Sequence, residues 1–394
     1  VTAKAACITG DSVARYFIRS ITLEGNDQTR PRIISRELIL HEGDILDSAG
    51  LAAALVKSRE NLFNTSLFNV VKIDTTCGEG IPRAVDVGVK VIERWYIWPI
   101  PWLEFPDRNI NAWLKDPLFS HLTYGVNLTF FNARGRNETL TLLLHFGYNQ
   151  KYGFTYKTPY INRKQTWGFG FGADAELNRT LVVANEENRN MYYNVETGFL
   201  QQRYMAYVQV FYRPAWYLYH DLSVSYSHYI FADTLRSVEG FFTGDTSLDH
   251  DLFSLAYKIK YDRRDEKYYP LAGYYADFEF LQQGFPGRTE YITACKAALK
   301  GFWRLGRRWY WASGATGRCS FPQEQPFYLQ QGLGYGRDFL RGYDSYIIPG
   351  QHFVISKSNL KFAILPQRTI RLSFIETPKF AVVPMALYLN LFTD

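Results

Sequence analysis

The sequence is short of most features that would make a first assignment easy. Its 394 residues contain no uninterrupted apolar run near the ~18 residues that a spanning helix needs, which argues against a helical membrane protein. Cysteine is sparse. Cys7, Cys77, Cys295 and Cys319 form no CxxC and no Cys/His cluster, so neither a zinc site nor a redox pair is indicated. Neither sign of charge dominates: 44 Lys and Arg against 38 Asp and Glu leave +6. That surplus could line a pore or meet anionic lipid, but it carries no signal for nucleic acid. The chain opens without methionine and without a charged-then-apolar leader, and the expectation is that a secretion signal, if there was one, has been removed or cropped. Catalytic motifs are missing as well, with no G-x-S-x-G elbow and no H-E-x-x-H. "GFGFG" (168–172) falls inside a strand pattern, and "GLGYG" (332–336) has no helix after it, so neither reads as a phosphate loop. The seven histidines are scattered singly; His220, Ser223 and Ser225 lie close along the chain, with nothing else to mark a catalytic constellation.

Aromatic residues, by contrast, are abundant: 29 Tyr, 29 Phe and 9 Trp, 17% of the chain. With a mean hydropathy of −0.22, this combination fits a membrane β-barrel. Barrel strands alternate lipid-facing apolar and lumen-facing polar residues, and Tyr and Trp gather at the two interfaces. On composition alone, an aromatic-rich soluble β-sandwich fits equally well.

Residues 16–95 differ from the rest, and 1–15 read as a tail or linker. "YFIRSITLEGN" predicts a strand ending at the Gly25-Asn26 turn. Thr29 offers a helix N-cap, Pro31 sits where a helix tolerates it, and Ile33, Ile34 and Leu38 supply an apolar stripe before "HEGD" breaks the helix. A second helix is predicted from about Ser48 to Leu62. Two strands follow, "LFNVVKIDTT" and "AVDVGVKVIE". In the latter, Val85, Val87, Val89 and Val91 define one buried face. Strand, helix, helix, strand, strand is enough for a small α+β domain.

Beyond "YIWPIPWLEFP" the pattern is of strands alone. Thirteen are predicted, at 98–106, 121–132, 138–149, 152–162, 165–178, 203–213, 218–232, 249–263, 271–284, 289–304, 308–321, 352–365 and 380–393. They are longer than the strands of soluble sheets, and short links are expected to alternate with long ones. The last two alternate cleanly: Met385, Leu387, Leu389 and Leu391 oppose Tyr388, Asn390 and Asp394, while Leu360, Phe362 and Ile364 oppose Lys357, Asn359 and Lys361. Charge confined to one face over such lengths favours the membrane barrel. Cys295 and Cys319, almost equidistant from the turn near Gly306, should face each other on adjacent strands.

With these elements in place, the chain resembles the BamA/TamA superfamily of outer-membrane assembly and translocation proteins. The likeness covers nearly everything from residue 16 onward. Residues 16–95 are similar to one POTRA module, through "LEGN…T", "REL…EGD" and "NLFNTSLFNVVKI"; residues 96–394 are similar to the barrel, through "NARGRNETL" and "YKTPYIN". The most specific signal is "LRGYDSY", similar to the Arg-Gly-aromatic tripeptide of the family's sixth outer loop. The resemblance implies a POTRA module followed by a transmembrane antiparallel β-barrel of sixteen strands, of which about thirteen are present. The chain would then be incomplete at its carboxyl end. It implies a loop folded into the lumen by Arg341, Gly342 and Tyr343, with Asp394 as the partner of the arginine. Lys361 stands where a second acid is expected, so Asp338 or Glu376 could contribute instead.

The function implied is insertion or translocation of proteins at the outer membrane, without catalysis and without a cofactor. A dedicated two-partner-type exporter is the alternative, and a barrel lipase or protease is the alternative of another class. Implied partners are the outer-membrane bilayer, unfolded outer-membrane or secreted clients, and accessory periplasmic or lipoprotein subunits, but no nucleic acid. A bacterial outer membrane is favoured over a mitochondrial or plastid one. Inward Lys296, Lys300, Arg318, Lys357 and Lys361 suit a hydrated lumen rather than a metal shell.

Overall fold

The computed structural model describes residues 15–77, 83–105, 119–242, 247–285, 291–334, 338–343, 346–375 and 378–394. The amino-terminal domain runs β1 (Arg15–Glu24), α1 (Pro31–Ser35), β2 (Ile45–Asp47), α2 (Ser48–Asn64), β3 (Phe68–Cys77) and β4 (Ala84–Glu93). Its sheet has the order β2-β1-β4-β3, with β1 and β4 parallel. Leu51, Leu55 and Leu62 recur at helical spacing on α2 and are buried over Val85, Val87, Val89 and Val91 of β4, as periodicity requires. The Asp47 carboxylate caps α2 by accepting from the Gly50 N–H at 2.8 Å.

The first helix departs from expectation. It is a single turn capped by Arg30, without any side-chain bond, and Leu38 lies beyond its end. Thr29 is drawn elsewhere. Its N–H donates to the buried Glu93 carboxylate at 2.7 Å, and its hydroxyl meets Tyr96 and Asn132. A carboxylate inside the domain competes better for that hydroxyl than a helix end does.

Thirteen further strands form one antiparallel sheet, and they coincide closely with the thirteen predicted. They are β5 (Ile97–Glu104), β6 (Thr123–Phe131), β7 (Thr139–Gly147), β8 (Gln150–Thr158), β9 (Trp167–Asn178), β12 (Gln201–Tyr212), β13 (Leu218–Phe231), β14 (Asp249–Asp262), β15 (Gly273–Gln283), β16 (Ile292–Arg304), β17 (Trp309–Phe321), β18 (Phe353–Arg371) and β19 (Val382–Thr393). Each pairs with its neighbour in sequence order, and β5 and β19 lie at the two ends. The two strands between β9 and β12 were not foreseen. β10 (Thr180–Glu186) and β11 (Arg189–Asn194) form a separate hairpin within one long connection. α3 (Pro378–Ala381) leads into β19.

Along the sheet one face is apolar and exposed: Trp167, Phe169 and Phe171 of β9, Val208 and Val210 of β12, Phe253 and Leu255 of β14. The other face carries paired charges, among them Arg203 with Asp174 and Glu176, and Lys258 with Asp277 and Glu279. That division is a lipid face and a lumen face. The lumen is therefore of mixed charge, and the basic residues read from the sequence belong to β16–β18 only. The glycines of "GFGFG" face inward: a Cβ on Gly172 would lie 2.8 Å from the Tyr207 ring. Cys295 and Cys319 are directly paired and free, whereas Cys77 is disulfide-bonded and Cys7 lies outside the described residues.

The expected alternation of tight and long links is incomplete. At the end bearing the small domain, the turn between β14 and β15 is ten residues long; at the far end, only Tyr148 and Asn149 separate β7 from β8. Several near-end turns are lengthened where they reach the small domain, while that between β16 and β17 keeps to four residues. Gly135, in the turn before β7, accepts from the Arg30 N–H at 2.9 Å. It does so at φ +73° with no room for a Cβ, which would lie 2.1 Å from the Gln28 carbonyl oxygen. Tyr160, in the turn before β9, enters the small domain's own hydrophobic core.

Candidate functional site

The connection from β17 to β18 begins beyond Phe321, enters the lumen, and returns to the wall at Phe353. Its inward limb is tethered by backbone carbonyls, which accept from two wall cations. Arg318 donates to the Gln331 carbonyl and Lys357 to that of Phe339. The returning limb is tied to the β10–β11 hairpin, with Ile347 N–H donating to the Asn188 carbonyl at 2.9 Å and Asn185 to the Ile347 carbonyl at 3.0 Å.

At the tip, the Arg341 fork closes on the Asp394 carboxylate. Nε lies 2.9 Å from Oδ2 and 3.1 Å from Oδ1, Nη2 donates to Oδ1, and the Arg341 backbone N–H reaches Oδ2 at 2.9 Å. Nη1 donates to Asn359, and the guanidinium lies 4.0 Å from the centre of the Phe392 ring. Only a planar fork can satisfy a carboxylate, an amide and an aromatic face together. Lys357 adds a second cation at 3.9 Å. Gly342 turns the chain at φ +86° with nothing near its absent Cβ, so backbone conformation is what selects glycine there.

The other residues singled out from the sequence lie differently. Tyr343 does not pack on the wall: it is 57% exposed and touches only the Tyr346 ring among the described aromatic residues. Asp338 pairs with Lys296, not with Arg341. Lys361 stands two residues from Asn359 on the same strand, but its ammonium turns toward the small domain. It donates to the Pro270 carbonyl at 3.0 Å and covers the Tyr269 ring at 4.1 Å. A long flexible amine follows the nearest uncompensated acceptor, and the sequence gives no sign that Pro270 would be there. Glu376 lies outside the described residues. His220 bonds the Tyr257 hydroxyl at 2.8 Å; with a strand period of two, it faces away from Ser223 and Ser225, so no dyad forms.

A second buried cluster went unread in the sequence. Glu37, in the turn after α1, is 1% exposed. Arg213, just past β12, grips it with two nitrogens, the Nη2 contact at 2.8 Å. Tyr160 and Arg36 complete the site. Burial pushes the Glu37 carboxyl up, yet the charge and hydrogen bonds of Arg213, helped by Arg36, hold it below the usual range. Nearby Lys267, in the turn between β14 and β15, is driven down to about 8 by burial, with Lys260 and Arg213 adding repulsion. The one signal available was position: Glu37 and Arg213 both sit at element ends, where neither period assigns a face.

A lumen entered by its own loop, beneath an apolar exterior and above a tightly docked α+β domain, defines a membrane barrel of the type that carries a periplasmic domain. The Omp85 superfamily domain matches residues 132–374, and the POTRA family described as surface antigen variable number repeat matches residues 16–94. The chain belongs to the Omp85 superfamily. CdiB from Escherichia coli is similar at 13% identity, with 96% of this chain and 70% of that one covered and a TM-score of 0.51. BamA from Haemophilus ducreyi lacking POTRA domains 1–3 is 18% identical, with 96% and 72% covered and a TM-score of 0.47. CdiB from Acinetobacter baumannii is 14% identical, with 88% and 60% covered and a TM-score of 0.48. The chain is thus an outer-membrane protein with its POTRA domain in the periplasm, in a superfamily that inserts or translocates proteins.

Proposed function

We propose that the protein assembles client β-barrels into the outer membrane, with no catalytic group, and that Arg341 and Asp394 hold its lumen loop in the working position. The observation that carries this reading is the fork of Arg341 on Asp394, which joins a mobile type of element, a long loop, to the last described strand. Asn359 of β18 shares the same guanidinium, so the loop braces the β18–β19 wall while the first strand is left free to part. The edge of β5 supports this. Phe131 N–H donates to the Tyr96 carbonyl, so even-numbered residues of β5 bond β6 and odd-numbered ones point outward. Two of the four outward positions are Pro99 and Pro101, which have no N–H to give. A strand seated on that edge leaves carbonyls unsatisfied in hydrocarbon, and its hold is weak.

Clients would reach the barrel by adding a strand to β3, the long edge of the POTRA sheet. Reconstituted into vesicles, the protein should speed the folding of an added unfolded barrel protein, and Arg341→Ala should remove most of that gain while the barrel itself stays folded. Full activity in Arg341→Ala would overturn the role of the pair. Acceleration of no barrel client, with export of a single dedicated protein, would favour a two-partner-type exporter instead.

A further inference from the structure

The turn at 263–272 is gripped from two sides. On the POTRA side, Asn64 at the end of α2 donates to the carbonyls of Arg264 and Asp265 at 3.3 and 3.1 Å. Asn64 also accepts from the Lys267 N–H at 3.0 Å through its side chain and from Lys267 Nζ at 2.6 Å through its carbonyl. The Tyr268 hydroxyl adds a contact to Ser66 at 3.2 Å. On the lumen side, Tyr269 stacks on Tyr388 at 4.8 Å and donates to Asn390 at 3.0 Å, while Lys361 donates to the Pro270 carbonyl. Those three wall residues belong to β18 and β19, the strands that hold Arg341 through Asn359 and Asp394. One two-strand wall is thus held from outside by the loop and from the periplasm by the turn.

We propose that the turn is a strap that closes the periplasmic mouth of the lumen and that the POTRA domain withdraws it. The grips on Tyr268 and Tyr269 are one peptide apart, and neighbouring Cα atoms are fixed at about 3.8 Å. A displacement of α2 that outruns the swing of these two side chains cannot be absorbed between them, so one grip must let go. The domain side holds by five hydrogen bonds, with Lys267 half-buried; the wall side holds by two and a pair of ring contacts. The wall side releases first, and the strap leaves the lumen with the domain. Tyr269, Lys361 and Asn64 are therefore positioning residues, acting on the wall that carries Asp394. Only the consequence for client insertion rests on the function proposed above.

The test uses the full chain in planar lipid bilayers and, in parallel, hydrogen exchange in lipid. Tyr269→Ala, with Lys361→Met as a second variant should the first fold poorly, is expected to raise ion conductance severalfold over the unaltered protein while the folded, heat-modifiable band persists. Asn64→Ala is expected to speed exchange about fivefold or more, both at 264–268 and at Tyr388–Asn390 on the far side of the strap. Unchanged conductance in both wall variants, or an Asn64→Ala effect that stops at Tyr268, would overturn the strap. Neither readout needs a client, so loss of the proposed function would leave this result standing, and the reverse also holds.

Discussion

Two of the arginine–carboxylate forks in this molecule join parts that are far apart in the chain, and they are built differently. Arg213 and Glu37 join barrel to POTRA domain with side chains 11% and 2% exposed, among Tyr160, Arg36 and Lys267. Arg341 and Asp394 join loop to wall with side chains 28% and 6% exposed, facing a hydrated lumen. The first pair has lost its water and depends on its partner; the second keeps some water and can exchange partners. Burial makes the former a fixed joint and the latter a clasp. The contrast predicts opposite balances of stability and function.

The largest effect is expected at the joint. Glu37→Ala leaves the Arg213 charge buried and unpaired, a defect worth about 3–5 kcal/mol. POTRA docking should fail, read as rapid proteolysis between residues 94 and 97 and loss of the small domain's thermal transition. Replacing both partners by apolar residues of similar volume should cost clearly less than either single change. If the two single variants are harmless, the joint is no joint.

Arg341→Ala comes next. A pair that retains water contributes about 1 kcal/mol or less, so the barrel's melting should hardly move while client folding drops. Arg341→Lys should rescue little, because one ammonium cannot serve Asp394, Asn359 and Phe392 together. A melting shift as large as that of Glu37→Ala would erase the distinction between clasp and joint.

Titration separates the two at alkaline pH. The Glu37 carboxyl sits below its ordinary range, so the joint contributes stability above about pH 4.5 that is lost on acidification through the folded value. Lys267 has no counterpart at the clasp. Its folded pKa, near 8, lies below the ordinary 10.5, so the unfolded chain holds more protons between those values. Stability of the joint should therefore rise from pH 8 toward 10.5, as the penalty of burying the charge is relieved. Lys267→Met should remove that rise. Protection of the Arg341 amide, with the base-catalysed rise in intrinsic exchange divided out, should stay flat over the same window.

Most of the architecture was legible because strand alternation is local. Thirteen barrel strands and the valine face of β4 follow from period two, and the Arg341 motif is carried by a short contiguous string. What escaped was set by distant partners. Thr29 has the residue type of a cap, but Glu93 claims it from 64 positions away. Lys361 occupies the place of an expected acid near the motif, and its own partner could not be read; Pro270, brought in by the POTRA-bound turn, takes its ammonium. The β10–β11 hairpin escaped although Leu181, Val182 and Val183 stand in it, since its two short strands cover a loop rather than a membrane face. The joint was invisible for the same reason, because element ends have no period.

The smallest effect should come from Asp338, the acid three residues before Arg341, which serves Lys296 instead. Lys296 and Asp338 are 33% and 21% exposed and make one ammonium contact on a flexible stem. The loop has a second hold at that residue, since the Asp338 carbonyl accepts from Gly334 N–H at 2.7 Å whatever the side chain. Asp338→Asn removes the same charge as Asp394→Asn but leaves the Arg341 fork complete. Its cost should stay within about 0.5 kcal/mol, with client folding nearly unchanged and a modest rise in exchange confined to the inward limb. Asp394→Asn should instead free Arg341 and match Arg341→Ala in both readouts. Equal effects of the two acid variants would mean that the loop is held by the summed field of the lumen rather than by one geometric clasp, and raising the salt concentration would then loosen it as much as either mutation.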